Sequence, residues 1–259
     1  MKLDGKVSIV TGAGQGIGRR IALRFAAEGA AVTLAARSKA LIDEVADEIR
    51  KLGGRALTVV TDVADEASIE RMVRATLDEF GAIDVLVNNA GIAGPTGPAT
   101  KISREDWDQT LAVNLTGAWL CAKHALPAMI ERRSGRIINI TSVAGLIGYA
   151  LRSPYAASKW AMIGLTQTLA QEVGGYNITV NAVAPGPVRG PRIESVIRHR
   201  AAEMGRTYEE VERDYVEPLA LKRMVEEDDI AAAALFLASE DGRNITGETI
   251  EVSGGYRLM

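Results

Sequence analysis

The chain has 259 residues, of which 47% are hydrophobic and 24% charged, a balance that is ordinary for a globular protein and excludes a disordered one. Its 30 Lys and Arg residues against 33 Asp and Glu give a formal net charge of −3, so no basic excess exists to hold a nucleic-acid backbone. The single cysteine, Cys121, excludes an internal disulfide and a thiolate zinc site, and we expect no metal.

Short apolar runs alternate with amphipathic segments along the chain. The predicted strands are residues 7–10, 31–35, 57–60, 85–87, 136–140, 178–183 and 250–252. The predicted helices are residues 17–27, 41–52, 69–80, 104–132 and 154–173, and in the second of these Leu41, Val45, Ile49 and Leu52 are expected on one buried face. Such alternation predicts right-handed βαβ units and a parallel sheet covered on both faces, within one α/β domain over residues 1–259.

Residues 187–225 are the one irregular stretch, with prolines and polar helical pieces predicted at 194–203 and 208–216. A long excursion between the last strands favours a substrate lid, and the alternative is a solvated surface insertion. The stretch is locally basic and contains Arg189, Arg192, Arg198, His199, Arg200 and Arg206. This charge either attracts an anionic substrate or is paired with glutamates on solvated helix faces.

The N-terminal residues and the apolar runs of the chain predict its compartment. Asp4 and Lys6 stand where a signal peptide needs apolar residues, and the longest apolar run, residues 230–238, is too short to cross a bilayer. We therefore predict a soluble cytoplasmic protein with no membrane and no nucleic-acid partner.

A glycine loop, T-G-A-G-Q-G-I-G, occupies residues 11–18 between the first strand and the first helix. Glycines let a backbone turn sharply and approach a pyrophosphate, whose charge is met by free N–H groups at the helix start. The pattern is T-G-x-x-x-G-I-G and not G-x-G-x-x-G, because Ile17 stands where the third glycine would be. The predicted cofactor contacts are Gly12, Gln15, Gly16, Ile17 and Gly18, and the alternative is a glycine-rich turn without a ligand.

The end of the second strand indicates which dinucleotide is bound. An acidic residue there would bind the ribose 2′-hydroxyl of NAD, but Ala35 and Ala36 occupy the place. Arg37, Ser38 and Lys39 follow, so a guanidinium and an ammonium are available for a 2′-phosphate. The alternative is a pair of solvated charges at a helix start. NADP(H) is favoured, and NAD(H) stays possible.

Tyr155 and Lys159 are four residues apart and therefore share one helix face, while Ser142 follows a predicted strand at the edge where ligands bind. A free tyrosine has a pKa near 10, so acid–base work near neutral pH requires a decrease of about three units. A neighbouring ammonium supplies part of that decrease. Tyr155 is the candidate acid and base, Lys159 is the cation that lowers its pKa, and Ser142 is the candidate contact to the substrate oxygen.

With these motifs in place, the sequence resembles the short-chain dehydrogenase/reductase family over nearly its whole length, in particular the 3-oxoacyl-(acyl-carrier-protein) reductase-like branch. The matching segments are residues 11–18, Asp62-Val63, Asn88 to Gly91, Asn114, Ser142, Tyr155 with Lys159, Pro185-Gly186 and Gly254-Gly255. The resemblance implies a seven-stranded Rossmann-type sheet and an NAD(P)-dependent oxidation or reduction. It also implies a dimer or tetramer formed by the two long helices.

The resemblance further implies a role for each matching residue. Asp62 and Val63 would flank the adenine, and Asn89, Ala90 and Gly91 would line the nucleotide path. Lys159 would bind the nicotinamide ribose, and Asn114 would position a water that links Lys159 to solvent. Pro185, Gly186 and Val188 would border the nicotinamide, with the Val188 backbone on its carboxamide. The family often has Thr or Ser two residues after Val188, where this chain has Gly190, so we expect a backbone N–H or a different lid geometry to replace that hydroxyl contact.

The substrate is expected to be a small ketone or secondary alcohol, with an anionic group as one option. Arg152, three residues before Tyr155, is the candidate anion contact. Carrier-protein reductases tend to show two docking arginines, of which Arg133 matches the first while Tyr176 stands at the second. A non-catalytic dinucleotide-binding sensor or scaffold is the alternative function, and an epimerase would need a larger C-terminal domain. The C-terminal residues 256–259 are a candidate segment for closing a neighbouring subunit's site.

Overall fold

A computed structural model describes residues 1–256. Of the candidate C-terminal segment 256–259, residues 257–259 therefore lie outside the described residues. Seven parallel strands form one sheet in the order β3-β2-β1-β4-β5-β6-β7, as the sequence predicts. The strands are Val7–Thr11 (β1), Ala31–Ala36 (β2), Arg55–Val60 (β3), Val85–Asn88 (β4), Gly135–Ile140 (β5), Ile178–Pro185 (β6) and Thr249–Val252 (β7).

Helices connect the strands in a doubly wound arrangement. They are Gly16–Ala27 (α1), Lys39–Lys51 (α2), Glu66–Phe80 (α3), Arg104–Leu111 (α4), Gly117–Arg132 (α5), Ser153–Val173 (α6), Pro191–Met204 (α7), Tyr208–Val216 (α8) and Glu227–Ala238 (α9). The predicted helical stretch over 104–132 is confirmed, and within it a π-helical turn at Ala112–Thr116 joins α4 to α5. Within the described part of the chain, no helix combines the length and the apolar character needed to cross a membrane.

Two apolar cores lie on opposite faces of the sheet. One packs α1, α2 and α9 around Phe25 and Ile49, and the other packs α3, α5 and α6 around Met72 and Met129. The predicted face of α2 is partly wrong, since Leu52 is 76% exposed. Leu52 comes after the last helical residue, and the buried stripe is instead Ile42, Val45, Ala46 and Ile49.

The strand order reverses between β1 and β4, whose neighbours lie on opposite sides. In such a sheet the connections after the two strands diverge, and a crevice opens at their carboxyl ends. The glycine loop follows β1 at this edge, Asn89 to Gly91 follow β4, Ser142 follows β5, and Gly186 follows β6. The fold therefore gathers the predicted site residues at one edge of the sheet.

The stretch 187–225 folds into the two predicted helices, α7 and α8. They share a small apolar core of their own, formed by Ile197, Ala201, Val211 and Met224. A bridge between Val188 and Val225 closes the base of the excursion. It is therefore an ordered cap that lines part of the crevice, and its role as a substrate lid stays a prediction.

Candidate active site

A single cavity of about 830 Å³ runs along the carboxyl edge of the sheet. Its size lies within the range of small-molecule and cofactor sites. Of the residues predicted for the site, only Asn114 is not in its wall. The other predicted residues line it: Gly12, Gln15, Gly16, Ile17, Gly18, Arg37, Ser38, Asp62, Val63, Asn89, Ala90, Gly91, Ser142, Arg152, Tyr155, Lys159, Pro185, Gly186 and Val188.

The glycine loop leaves the start of α1 open. Gln15 precedes the helix and makes no side-chain capping hydrogen bond, and no acidic residue lies in the first turn. The first backbone N–H groups of a helix have no partner within the helix, so they are free to bind an anion. Gly12 and Gly16 have φ values of 68° and 59°, which favour glycine. The loop fits the pyrophosphate of a dinucleotide.

Polar contacts fix this loop to the end of β4. The Thr11 hydroxyl accepts hydrogen bonds from the backbone N–H groups of Asn89 and Ala90, both at 3.0 Å. The Asn89 side-chain amide donates to the carbonyl oxygens of Thr11 and Gly12 at 2.9 and 3.3 Å. Asn89 is thus used to shape the loop, a role that its position in the sequence did not reveal.

The adenosine end of the cavity lies beyond β2 and β3. Arg37 is exposed there and has no ion-pair partner among residues 1–256, while the ammonium of Lys39 lies 2.5 Å from the Asp43 carboxylate. The Ser38 hydroxyl makes no capping hydrogen bond to α2. Asp62 is half-buried and accepts from the Ala64 N–H at 2.9 Å. A guanidinium and a hydroxyl, but not a carboxylate, are therefore free at the end of β2.

The opposite end of the cavity is bordered by the residues that follow β6. Val225 bonds to Pro187 and Arg189 on either side of Val188, with N–H to O distances of 3.1 and 2.9 Å. The backbone groups of Val188 itself take no part in that bridge, so they fit the predicted contact to a carboxamide. Gly190 has φ 140° and ψ 179°, a conformation essentially restricted to glycine. A Thr or Ser would be strained there, which is the physical reason for the departure from the family pattern.

The catalytic candidates meet at the middle of the cavity. Lys159 is only 4% exposed, and its ammonium donates to the Ile140 carbonyl at 2.8 Å and lies 5.8 Å from the centre of the Tyr155 ring. The Ser142 hydroxyl accepts from the Ala144 N–H at 3.2 Å and also contacts the Tyr155 phenol. A phenol, an ammonium and a hydroxyl thus share one water-poor site.

The environment shifts the pKa values of both titratable groups. Burial alone would raise the pKa of Tyr155, but the charges of Lys159, Arg192 and Arg152 and the Ser142 hydroxyl outweigh burial, so the pKa lies below its usual value of 10. Burial lowers the pKa of Lys159 to about 8, with repulsion from Arg192 acting in the same direction. The phenol of Tyr155 is therefore easier to deprotonate than that of an ordinary tyrosine, and it lies beside a lysine that still holds its proton near neutral pH.

Asn114 lies in the π-helical turn, behind Gly91. Its amide accepts from the Ile92 N–H at 2.8 Å and donates to the Ile92 carbonyl and the Ser158 hydroxyl, both at 3.1 Å. π-Helical turns occur frequently at functional sites. Asn114 therefore ties the loop after β4 to α6, and its expected role in holding a water stays a prediction.

Several contacts in the cavity were not predicted, because the residues that make them are close only in the fold. The hydroxyls of Tyr149 and Tyr215 are hydrogen-bonded, and Arg192 of α7 donates to the Gly91 carbonyl at 3.2 Å. Arg152 is 2% exposed and donates to the Ala93 carbonyl at 2.6 Å. We call the region beyond Ser142 that is bounded by Ala93, Tyr149, Arg152 and Tyr215 the substrate end.

No partner for His124 stands near it in the sequence. In the fold it lies 3.0 Å from the Glu66 carboxylate and 3.9 Å from that of Glu70. Lys123 also binds Glu66, at 2.6 Å. The hydrogen bond from Lys123, and to a smaller extent the one from His124, lowers the pKa of the Glu66 carboxyl. The Lys123 ammonium therefore offsets one of the two carboxylate charges of this cluster.

Comparison with known proteins agrees with this geometry. The family model described as short chain dehydrogenase matches residues 6–201. The chain is 38% identical over 255 residues to a 3-oxoacyl-(acyl-carrier-protein) reductase, FabG, of Thermotoga maritima, covering 98% of this chain and 99% of the relative. It is also 38% identical over 259 residues to (2S)-((R)-hydroxy(phenyl)methyl)succinyl-CoA dehydrogenase subunit BbsD of Thauera aromatica, covering 100% and 99%.

Among solved structures, NAD+-bound xylitol dehydrogenase superposes with a TM-score of 0.96 at 32% identity, covering 98% of this chain and 100% of that one. The similarity extends over the sheet, the helices that cover it and the cap. The chain belongs to the short-chain dehydrogenase/reductase family of oxidoreductases.

Proposed function

We propose that the protein is an NADP(H)-dependent oxidoreductase that interconverts a secondary alcohol and a ketone. The observation that carries this proposal is the group of Ser142, Tyr155 and Lys159 at the middle of the cavity, in which Lys159 is buried and the pKa of the phenol is lowered. No observation favours the non-catalytic sensor or scaffold, since none of the three side chains is missing.

A bound nicotinamide dinucleotide supplies or accepts the hydride. Tyr155 takes the hydroxyl proton of an alcohol during oxidation and returns a proton to the carbonyl oxygen during reduction. Ser142 holds the same oxygen by a hydrogen bond. Lys159 stabilises the phenolate through its charge and is in reach of a ribose hydroxyl, because its ammonium lies next to Gly91.

Replacing Tyr155 by Phe tests the chemistry. Tyr155→Phe removes the transferable proton but keeps the ring, so turnover is expected to fall at least about 1,000-fold while NADPH binding is retained. Tyr176→Phe, at a half-exposed position outside the cavity, is the matched control. Substantial turnover by Tyr155→Phe would refute the role of the phenol. Tight NADPH binding without turnover of any ketone or alcohol by the unmodified protein would favour the sensor.

The preference for NADP over NAD is proposed from the adenosine end. Arg37 is exposed, lines the cavity and has no ion-pair partner among the described residues. Arg37→Asp is expected to lower affinity for NADPH and raise that for NADH, because the 2′-phosphate loses its cation and the 2′-hydroxyl gains an acceptor. Lys39→Gln is the control, since Lys39 is paired with Asp43 and does not line the cavity. An unchanged ratio of the two affinities in Arg37→Asp would favour NAD(H).

We extend the proposal to substrates that carry an anionic group. Two arginines, Arg152 of the substrate end and Arg192 of α7, line the cavity. Part of the basic charge of the cap is neutralised, since Arg198 pairs with Glu194 at 3.2 Å and Arg206 with Asp214. Arg192 has no such partner within residues 1–256, so its charge is available to a ligand. The relative BbsD is named for a succinyl-CoA substrate, which is itself anionic.

Arg192→Gln tests this extension against Arg198→Gln, a control on the same helix whose charge is already paired. With acetoacetate and its neutral methyl ester as substrates, Arg192→Gln is expected to raise KM for the acid about tenfold more than for the ester. Equal effects on KM for both substrates would refute the proposed preference for anionic substrates and would leave the oxidoreductase proposal intact.

A role on carrier-bound substrates is less favoured. The guanidinium of Arg133 donates to the Gly175 carbonyl at 2.8 Å and stacks 5.8 Å above the Tyr176 ring, so it has a local structural use.

The cytoplasmic location and the dimer or tetramer stay predictions. Trp119 on α5 and Trp160 on α6 are 44% and 51% exposed, which supports an interface on these helices.

A further inference from the structure

We infer that Arg152 is a positioning residue for Tyr155: its buried guanidinium stacks between the rings of Tyr155 and Tyr149 and adds a further positive charge beside the phenol. This inference rests on the proposed function, in which Tyr155 is the acid and base.

The stack continues from the catalytic helix into the cap. The guanidinium of Arg152 lies 5.1 Å from the centre of the Tyr155 ring and 5.7 Å from that of Tyr149. On the other side of Tyr149, Arg200 lies 5.4 Å from that ring and 5.9 Å from the ring of Tyr215. Aromatic rings and guanidinium groups therefore alternate from Tyr155 to α8.

Arg152 is held from several sides. Its backbone carbonyl accepts from the Ala156 N–H at 2.9 Å, at the start of α6, and its own N–H donates to the Tyr149 carbonyl at 3.2 Å. One terminal nitrogen of the guanidinium donates to the Ala93 carbonyl at 2.6 Å. The side chain therefore joins the loop after β4 to the turn that carries Tyr155, and a shift of Arg152 would move the phenol.

The charge of Arg152 is not neutralised by a neighbour. Within residues 1–256 it makes no ion pair, and its Nε and Nη1 atoms are buried without a hydrogen-bond partner. A buried, unpaired cation is costly, so an arginine kept in this state has a use that a neutral side chain would not serve. The phenolate of Tyr155 is an anion that forms beside it during the proposed reaction.

The other groups that face Tyr155 are Lys159 on α6, Arg192 on α7 and Ser142 after β5, and each of them also favours the phenolate. Burial raises the pKa values of Tyr149 and Tyr215, so these rings stay neutral. The guanidinium of Arg152 lies nearer to the centre of the Tyr155 ring than the Lys159 ammonium does, at 5.1 Å against 5.8 Å.

The experiment is a titration of tyrosinate by near-ultraviolet absorbance in the protein without added cofactor. The Tyr155 signal is obtained as the difference between each variant and the same variant carrying Tyr155→Phe. In Arg152→Gln we expect the Tyr155 transition about one pH unit higher than in the unmodified protein. Arg200→Gln is the matched control, because Arg200 also stacks on Tyr149 and also donates to a backbone carbonyl, that of Ala150, but does not stack on Tyr155. Its transition is expected to stay in place.

Arg152→Lys keeps the charge and is the second variant if Arg152→Gln does not fold. Its transition is expected within about half a pH unit of the unmodified protein. An unmoved transition in Arg152→Gln, an equal shift in Arg200→Gln, or a full-unit shift in Arg152→Lys would overturn the inference. The titration needs no substrate, so it stands or fails separately from the proposed reaction.

The pH profile of kcat/KM for alcohol oxidation supplies the catalytic readout. Removing the charge of Arg152 is expected to move the rising limb of this profile to higher pH, because a larger fraction of Tyr155 stays protonated. A higher KM for anionic substrates with an unmoved profile would make Arg152 only a substrate contact and would overturn its positioning role.

Discussion

Replacing Gly18 by Ala is expected to disrupt the nucleotide loop. A Cβ at this position of α1 would lie 2.3 Å from both the Asn89 side-chain nitrogen and the Gly12 carbonyl oxygen. These separations are about 1 Å shorter than ordinary contacts, and one of the atoms belongs to the backbone. The loop must move, and the hydrogen bonds from Asn89 to Thr11 and Gly12 are lost or stretched.

Overpacking of this kind costs about 1–3 kcal/mol, which corresponds to a decrease in Tm of about 3–10 °C for a chain of this size. The affinity for NADPH is expected to fall at least about tenfold, because the first-turn N–H groups of α1 are displaced. Thermal unfolding measures the first effect, and fluorescence titration with NADPH measures the second.

Gly174→Ala is the control for this substitution. A Cβ at Gly174 meets no atom within 4 Å, and its φ of −56° suits any residue. Its Tm is expected to stay or rise slightly, with unchanged NADPH affinity. If Gly18→Ala has the same Tm and NADPH affinity as Gly174→Ala, the loop is not as tight as the structure indicates and our reasoning is refuted.

Three further predictions concern buried groups. Phe25→Ala leaves a void in the core beneath α1 and is expected to cost about 3–5 kcal/mol in denaturant unfolding, whereas a cost below about 1 kcal/mol would contradict this packing. Asn114→Ala leaves Ile92 and Ser158 without their amide partner, so both the stability and kcat should fall. An unchanged kcat would show that Asn114 does not hold a catalytic water between Lys159 and solvent. Lys159→Met should abolish turnover yet be at least as stable as the unmodified protein near neutral pH, because it removes a buried charge.

The last of these effects depends on pH with a definite sign. The pKa of Lys159 is about 8 in the fold and 10.5 in its ordinary state, so the unfolded chain holds more protons between these values. The titration of Lys159 therefore increases the free energy of unfolding of the unmodified protein as pH rises from 8 toward 10.5. The stability advantage of Lys159→Met should be largest below pH 8 and shrink above it, as denaturant unfolding near neutral pH and at about pH 9.5 would show. An advantage that grows with pH would reverse the assigned shift.

Much of the fold was predictable, because each strand and most helices follow from local periodicity. The positions of β1 to β7 agree with the sequence pattern to within two residues. The helix α9 escaped prediction as a helix, since its run of alanine, leucine and isoleucine is apolar on every side and shows no amphipathic stripe. The π-helical turn at Ala112–Thr116 also escaped, because it depends on hydrogen bonds from Asn114 to Ile92 and Ser158 that no local pattern contains.

The same distinction applies to the site. Tyr155, Lys159 and Ser142 were recognisable because a short spacing places two of them on one helix face and a strand end places the third. The contacts of Arg152 were not recognisable, since Ala93, Tyr149 and the rest of the stack come from separate loops and from the cap. Sequence indicated its charge and its distance from Tyr155, and hence an anion contact. Only the fold shows that the guanidinium is 2% exposed and stacked on the phenol ring.

The buried cations explain why this site is costly to maintain. Arg152 is unpaired, and Lys159 has a lowered pKa because burial penalises its charge. A chain selected for stability alone would fill both positions with neutral side chains. Both charges favour the same species, the phenolate of Tyr155, so their cost is offset only when that anion forms. The stability lost at these two residues is therefore coupled to the proton transfer that we propose for the site.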